Sequence, residues 1–427
     1  MNGIRAGLRV LAEQAPRGTL PDGFYEAARA RHRGRRAAAL AAVAVLLVMA
    51  GAGWVARPGR DGAAVPSQGS GQGIATRLPV PPWYTGGAGK IGVTAAIYAG
   101  PATTNDWQEG RFAALSADGD RCRVFTDAIY ASPGFEALLS PDGTRIARDG
   151  AVTSLVTGRR TTVPGEVRAF SPDGTLVVFQ DSTGAGVFDL ARRTVTARVD
   201  TGDGWLVPGF AVAVAPGNDR VAFMVDGRLT VYDLRAARPA YTVPLDGAAL
   251  AGAGAWLPDG SAFATAVRTG ADTWTVVLRR ATDGAVLDDH RLAPVPDARY
   301  LRLLGWRADG TAVAVVGVPG ARTEPVEASW REAWFPYRDL GSAGAKVVEI
   351  GPGGSREVLR TPAEVHELDV AADFAVAGAF RPPGDPGFGA TSNPVVFLGS
   401  MCGFVAAAML AAAVRRRTAR PDRRRGA

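Results

Sequence analysis

Short apolar runs alternate with clusters of Gly, Pro, Asp and Ser along most of this chain. Runs at residues 176–179, 262–267 and 312–318 are too short for core helices and are typical of buried strands. Longer phrases predict strand, turn and strand in succession; these are residues 186–199, 229–243 and 274–292. The pattern therefore predicts an all-β body.

One turn phrase recurs through this body. Its copies are Ser116-Ala117-Asp118-Gly119, Ser140-Pro141-Asp142-Gly143, Ser171-Pro172-Asp173-Gly174, Leu257-Pro258-Asp259-Gly260 and Arg307-Ala308-Asp309-Gly310. Pro presets φ, Asp bonds the backbone ahead of it, and Gly accepts a positive φ. We therefore assign these Asp and Gly residues structural roles in turns that precede strands. Degenerate copies lie at residues 215–218, before a run at 221–224, and at 370–380.

The spacing of the copies predicts a β-propeller. Later intervals are mostly about 40 to 50 residues, the length of a four-stranded blade. Six or seven blades fit, although the interval between the copies at Ser116 and Ser140 is too short for one blade. The alternative, a β-sandwich, gives no reason to repeat one turn phrase at blade-like intervals.

With these turns the body resembles bacterial propellers of the TolB-like or WD-repeat kind, over roughly residues 85–380. The Gly-His and Trp-Asp signatures of WD repeats are absent. Two phrases resemble them only distantly: Phe188-Asp189-Leu190 and Tyr232-Asp233-Leu234. The resemblance implies architecture more than function, because such propellers have many roles. The overall layout is similar to that of many actinobacterial membrane proteins.

Two uncharged 20-residue stretches, 37–56 and 395–414, are long enough to span a bilayer. Arg clusters precede the first and follow the second, which predicts that both termini are cytoplasmic. The predicted organisation is a basic leader (1–36), a transmembrane helix (37–56), a Gly-, Pro- and Ser-rich stalk (57–82), the propeller-like domain (83–380), a return stalk (381–394), a second transmembrane helix (395–414) and an Arg-rich tail (415–427). Alternatives are that the first stretch is a cleavable signal peptide, with Ala50-Gly51-Ala52 as its cleavage site, and that the second is a buried core helix.

The net charge of +7 does not indicate a nucleic-acid-binding body. Residues 1–36 hold eight Arg against three acids, and residues 415–427 hold seven Arg against Asp422. The two ends therefore carry +11 and the remaining residues −4, which leaves no basic face for a phosphate backbone. The predicted partners are the lipid bilayer and a protein, peptide or envelope polymer outside the cytoplasm.

Candidate chemistry is sparse. The three His and two Cys residues are too scattered for a metal site, and no G-x-S-x-G phrase is present. We predict no catalytic, metal-binding or cofactor-binding residue. One segment, 328–341, concentrates aromatic and Arg side chains as interfaces do; its candidate interaction residues are Trp330, Arg331, Trp334, Phe335, Tyr337 and Arg338. The same rings could instead cover an edge of the propeller.

The sequence thus predicts a membrane-anchored, extracytoplasmic propeller that acts as a binding scaffold. One alternative is a transmembrane sensor that reports binding to the cytoplasmic leader, a layout similar to anti-sigma-like regulators. Another is a propeller hydrolase, which requires carboxylates or histidines clustered in the central channel.

Labelling of single Cys residues placed after Ala30, within residues 61–75 and after Arg417 tests the topology. We expect the first and third positions to be cytoplasmic and the second to lie outside the cytoplasm, because both Arg-rich ends stay in the cytoplasm. A C-terminus outside the cytoplasm, or a cleaved leader, contradicts the two-span arrangement.

Overall fold

The computed structural model describes residues of one compact unit, Ser67–Ser392. The described residues are 71–79, 90–100, 112–125, 133–201, 204–320, 342–362, 365, 367–383 and 387–388. The predicted membrane spans at 37–56 and 395–414 lie outside them. Among the described residues, the structure contains no helix with the length and hydropathy of a membrane span.

The described residues form strands and one short helix. They are β1 Ile74–Ala75, β2 Thr94–Ala99, β3 Phe112–Ser116, β4 Arg121–Phe125, β5 Leu138–Leu139, β6 Arg145–Arg148, β7 Ala151–Ser154, β8 Arg160–Thr162, β9 Glu166–Phe170, β10 Leu176–Asp181, β11 Gly184–Asp189, β12 Thr194–Val199, β13 Val212–Val214, β14 Arg220–Val225, β15 Arg228–Asp233, β16 Arg238–Pro244, β17 Ala248–Leu250, β18 Ala262–Gly270, β19 Thr273–Arg280, β20 Val286–Arg291, β21 Val295–Pro296, β22 Leu301–Trp306, β23 Ala312–Pro319, β24 Ser342–Gly351, β25 Gly354–Arg360, β26 Glu367–Val370, α1 Ala372–Val376, β27 Phe380–Arg381 and β28 Gly387–Phe388. The short apolar runs of the sequence are strands, as predicted.

These strands build a six-bladed β-propeller. Each blade has four antiparallel strands, and the short strands β21 and β28 add a fifth to blades V and I. In order from the innermost strand outward, blade I is β26-β2-β3-β4, blade II β5-β6-β7-β8, blade III β9-β10-β11-β12, blade IV β13-β14-β15-β16, blade V β17-β18-β19-β20 and blade VI β22-β23-β24-β25. The sequence predicts six or seven blades, and the structure has six.

Both ends of the described chain contribute to blade I. Its innermost strand β26 comes from the end of the propeller sequence and pairs antiparallel with β2 from its beginning, with Ala96 opposite Val370. The ring is therefore closed by backbone hydrogen bonds between distant parts of the sequence.

Burial falls from the axis to the rim. Every residue of β13 and β17 is buried, as is every residue of β11, whereas the outer strands β12 and β16 are mostly exposed. Inner strands lie between two neighbouring blades, so both of their faces are apolar. This accounts for uninterrupted apolar runs followed by polar ones within each unit.

The repeated phrase forms a closed hydrogen-bonded turn. In the second copy, Asp142 accepts hydrogen bonds from the Ser140 hydroxyl at 2.6 Å, the Thr144 amide at 3.0 Å and the Thr144 hydroxyl at 2.7 Å. The Ser140 hydroxyl also accepts the Arg145 amide at 2.9 Å. Asp173, Asp259 and Asp309 accept the amide two residues ahead in the same way.

Most copies connect the innermost strand of a blade to its second strand; the first copy does not. The turn at Ser116 joins β3 to β4, the third and fourth strands of blade I, and the turn at Ser140 joins the first two strands of blade II. Their short separation therefore reflects two positions within a blade. The degenerate copy at 370–380 contains α1 in place of a turn and strand.

We call the end of the propeller that carries these connections the turn face. Short additional strands join the propeller sequence to its flanks: β1 pairs parallel with β27, and β28 pairs parallel with β4. β1 and β28 lie in the segments 57–82 and 381–394, for which the sequence predicts stalks.

Replacing Asp142 with Ala should destabilise the protein by about 1–3 kcal/mol, because the turn loses its acceptor. Burial alone would raise the pKa of the Asp142 carboxyl, but hydrogen bonds from Ser140 and Thr144 outweigh it and lower that pKa. A carboxyl whose pKa lies below its unfolded value of about 3.9 stabilises the fold above that pH, and this contribution disappears as the pH falls through the folded-state pKa.

Urea unfolding of the full chain, followed by tryptophan fluorescence, measures this effect. The difference between wild type and D142A should be complete at pH 7 and shrink below about pH 4. D120A is the matched control, because Asp120 is exposed in the same kind of turn and only its backbone amide takes part. A difference that does not change with pH would show that the carboxylate is not the stabilising group.

Candidate functional site

A cavity of about 280 Å³ lies on the propeller axis and is lined by residues from all six blades. It lies at the turn face, where Pro172, Pro258 and Asp373 of its lining are exposed. We call it the axial pit. Four prolines of the repeated phrase, including its degenerate fourth-blade copy, contribute to the lining: Pro141, Pro172, Pro216 and Pro258. The turns thus stabilise their blades and also form the rim of the pit.

Two tryptophans from neighbouring blades form part of the wall. The indole nitrogen of Trp256 donates to the Ala213 carbonyl at 3.1 Å, and that of Trp306 donates to the Ala255 carbonyl at 3.3 Å. Each bond joins one blade to the preceding one and uses the only polar atom of the ring. The indoles are therefore held in place and present carbon atoms to the pit.

The floor of the pit contains a buried ion pair. Arg302 on β22 contacts Asp369 on β26, with 2.7 Å between Nη2 and Oδ1, and the two side chains are only 5% and 3% exposed. The same Nη2 donates to the Leu368 carbonyl at 3.3 Å. Asp369 also accepts the amides of Leu139, at 2.8 Å, and of Val370, at 3.1 Å.

Glycines make room for the Arg302 side chain. A Cβ on Gly134 would lie 3.0 Å from Arg302 Nη2, and one on Gly252 would lie 2.8 Å from its Cγ. Both glycines also have positive φ angles, 81° and 114°. Arg302 therefore reaches Asp369 only because backbone from blades II and V approaches without side chains.

Three aromatic rings lie beyond the ion pair, toward the opposite face. Phe135, Phe210 and Tyr300 lie just before the inner strands of blades II, IV and VI. Phe135 stacks on Phe210 with centroids 5.0 Å apart, and both meet Tyr300 edge-on at 5.8 and 5.9 Å. Burial raises the pKa of the Tyr300 hydroxyl, so it stays neutral at physiological pH. Within the described residues, the axis is thus a pit with a packed base.

The ionisable groups of the lining are few. They are Arg302, Asp369 and Asp373, which lies at the rim on α1. Burial, followed by the nearby charge of Asp142, raises the pKa of Asp373. Asp369 already accepts three hydrogen bonds, so its acceptor positions are largely occupied. No group of His, Cys, Asp and Glu side chains in the described ranges has the proximity of a metal site.

The predicted interaction residues at 330–338 lie outside the described residues. Their segment joins β23, which ends at Pro319, to β24, which begins at Ser342. The end of β23 and the beginning of β24 lie opposite the turn face. The Asp residues of the turns point into their own turns and make no cluster.

Sequence reasoning missed the residues that line the pit. Four of them occupy one repeat position, directly before a copy of the turn phrase: Leu139, Phe170, Trp256 and Trp306. A fifth, Val370, is the first residue of the degenerate copy at 370–380. Arg302 and Asp369 are charges within apolar runs just upstream of such copies. Aligning the copies on one another would have revealed that position.

Comparison with known proteins adds little to this geometry. No protein-family model matches the chain, and no curated protein matches it. Among solved structures, hydrazine synthase from Kuenenia stuttgartiensis is similar, with 16% sequence identity, a TM-score of 0.36, and coverage of 54% of this chain and 68% of that one. A likeness at this level carries no functional information. Fold and site together define a six-bladed propeller with an axial pit.

Removing either member of the buried ion pair Arg302–Asp369 should destabilise the protein. We expect Arg302→Met and Asp369→Asn each to lower the free energy of unfolding by about 3–5 kcal/mol, because each leaves a buried charge unpaired. The double variant should lose less than the sum of the two, since neither charge remains.

A double-mutant cycle by urea unfolding checks this. The exposed pair Arg280–Asp283, with nitrogen and oxygen 3.1 Å apart, is the control, and R280M with D283N should leave stability nearly unchanged. Additive losses at Arg302 and Asp369 would mean that the two side chains are not coupled.

Proposed function

We propose that this protein is a non-enzymatic binding scaffold whose axial pit receives part of a ligand. The observation that carries the proposal is the pit itself: a concave site at one end of a rigid ring, mostly apolar, with a few fixed polar groups. This is the usual composition of a ligand site.

Rigidity of the pit supports a binding role. Hydrogen bonds between blades hold the rim: Arg145 Nη1 donates to the Gly174 carbonyl at 2.7 Å, and Asn218 Nδ2 donates to Asp173 Oδ2 at 2.7 Å. The Asp373 amide donates to the Pro141 carbonyl at 3.0 Å. A site already held in its binding shape loses little conformational entropy when a ligand arrives.

The chemistry of the pit favours binding over hydrolysis. A general base must be able to accept a proton from the reacting group. Asp369, the carboxylate of the floor, is held by Arg302 and two backbone amides, and Asp373 stands at the rim. This arrangement suits recognition of a ligand more than proton transfer.

We further propose that the scaffold is anchored in the cytoplasmic membrane by residues 37–56 and 395–414, with the propeller outside the cytoplasm. Support comes from hydropathy and from the Arg clusters at the two ends. The partner would then be a protein, a peptide or an envelope polymer, or a small molecule derived from one. The TolB-like or WD-repeat resemblance of the turns fits a scaffold role by analogy of fold.

Filling the mouth of the pit tests the binding role. Ala372 lies on α1, lines the pit and is half-buried, so Ala372→Trp should obstruct it. Ala377→Trp is the matched control, because Ala377 is exposed and does not line the pit. The ligand at 100 times its Kd should stabilise wild type and A377W by about 2.7 kcal/mol.

A thermal-shift screen of small molecules and peptides measures this effect. Compounds that raise the Tm of wild type and A377W should leave A372W unchanged. If every stabilising compound acts equally on A372W, the ligand does not occupy the pit and the proposal is wrong.

A further inference from the structure

We infer that the axial pit selects a small, neutral and largely apolar ligand that carries one hydrogen-bond acceptor, which Arg302 receives at the floor. This inference rests on the proposed binding function and adds the chemical class of the ligand. It follows from the size of the pit, its apolar wall and the balance of charge and hydrogen-bonding capacity at the floor.

The size of the pit limits the ligand. An apolar cavity of about 150 Å³ is sufficient for benzene. The pit, at about 280 Å³, is nearly twice as large. A molecule of roughly a dozen non-hydrogen atoms would therefore fill it.

The wall favours apolar groups. Trp256 and Trp306 have already used their indole N–H groups on backbone carbonyls, and proline rings carry no side-chain donor or acceptor. A polar group placed against this wall would lose its water without gaining a partner. The polar part of a ligand must therefore lie at the floor or at the mouth.

Charge at the floor favours a neutral ligand. Arg302 and Asp369 neutralise each other, so a bound anion or cation would add a buried charge with no counter-charge. At the mouth, Asp373 and its neighbour Asp142 are acidic, which adds repulsion against an anion. No further ionisable side chain lines the described pit.

Hydrogen-bonding capacity at the floor favours an acceptor. Among the described residues, Nε and Nη1 of Arg302 donate no hydrogen bond, and Arg302 is one of the residues that line the pit. They carry three N–H donors, whereas Asp369 has about one acceptor position left. A carbonyl or ether oxygen on the ligand would match these donors.

Three probes of similar size separate the possibilities: acetophenone, ethylbenzene and benzoate. They share a benzene ring and differ in carrying a neutral acceptor, no polar group or a negative charge. Titration calorimetry on the full-length protein gives each affinity. The same titration on A372W measures how much of each probe is taken up by lipid, by detergent and by other sites on the protein. This background is subtracted from the wild-type signal.

We expect acetophenone to bind at least about tenfold more tightly than ethylbenzene, because it meets charged donors. It should also bind at least about tenfold more tightly than benzoate, whose charge is uncompensated. In Arg302→Lys, which keeps the positive charge but has three N–H donors in place of five and a shorter reach, the preference for acetophenone over ethylbenzene should shrink. The ranking in wild type stands as a test even if R302K does not fold.

Three results would overturn the inference and leave the proposed function intact. Tightest binding of benzoate would make the pit an anion site, and equal binding of ethylbenzene would remove any role for Arg302. The inference would also be overturned if wild type bound all three probes no more tightly than A372W does. The proposed function fails separately, if the thermal-shift screen finds no ligand sensitive to A372W.

Discussion

The carboxylate of Asp369 joins three blades of the ring at once. It extends from blade I, accepts the backbone amide of Leu139 in blade II, and pairs with Arg302 of blade VI. These are the blades on either side of the point where the ring closes. A buried carboxylate is stable there only because its hydrogen bonds and its counter-charge come from both neighbours. The closure of the ring and the floor of the pit thus depend on the same group.

The repeat and its strands could be predicted from the sequence, because a turn that bonds its own Asp is a local device. Ser140, Asp142 and Thr144 make their bonds within five residues, and the strand that follows needs no distant information. The blade count could not be settled, since it depends on which strands a turn connects. The copy at Ser116 has the same local bonds to Asp118 as the others, yet it joins the third and fourth strands of a blade.

The pit could not be predicted by examining residues one at a time. Trp256 and Trp306 are ordinary apolar residues in their own segments, and they become neighbours only when blades V and VI pack side by side. Arg302 and Asp369 are far apart in sequence, and each alone is an unexplained charge in a strand. Arg302 can reach Asp369 only because Gly134 and Gly252, which belong to two other blades, have no side chains. The aromatic segment at 328–341 could be singled out from the sequence because its residues are adjacent there, and it remains a prediction.

The shared construction of blade I has a consequence for synthesis on the ribosome. Strands β2–β4 are made before the other five blades, but the innermost strand of their sheet, β26, emerges only after those blades. Until then the inner edge of β2 has no partner, and closure must wait for a contact of very long sequence separation, which slows folding. A second nascent chain offers an identical β26. Exchange of that strand between two molecules is therefore the misassembly to which this topology is most open.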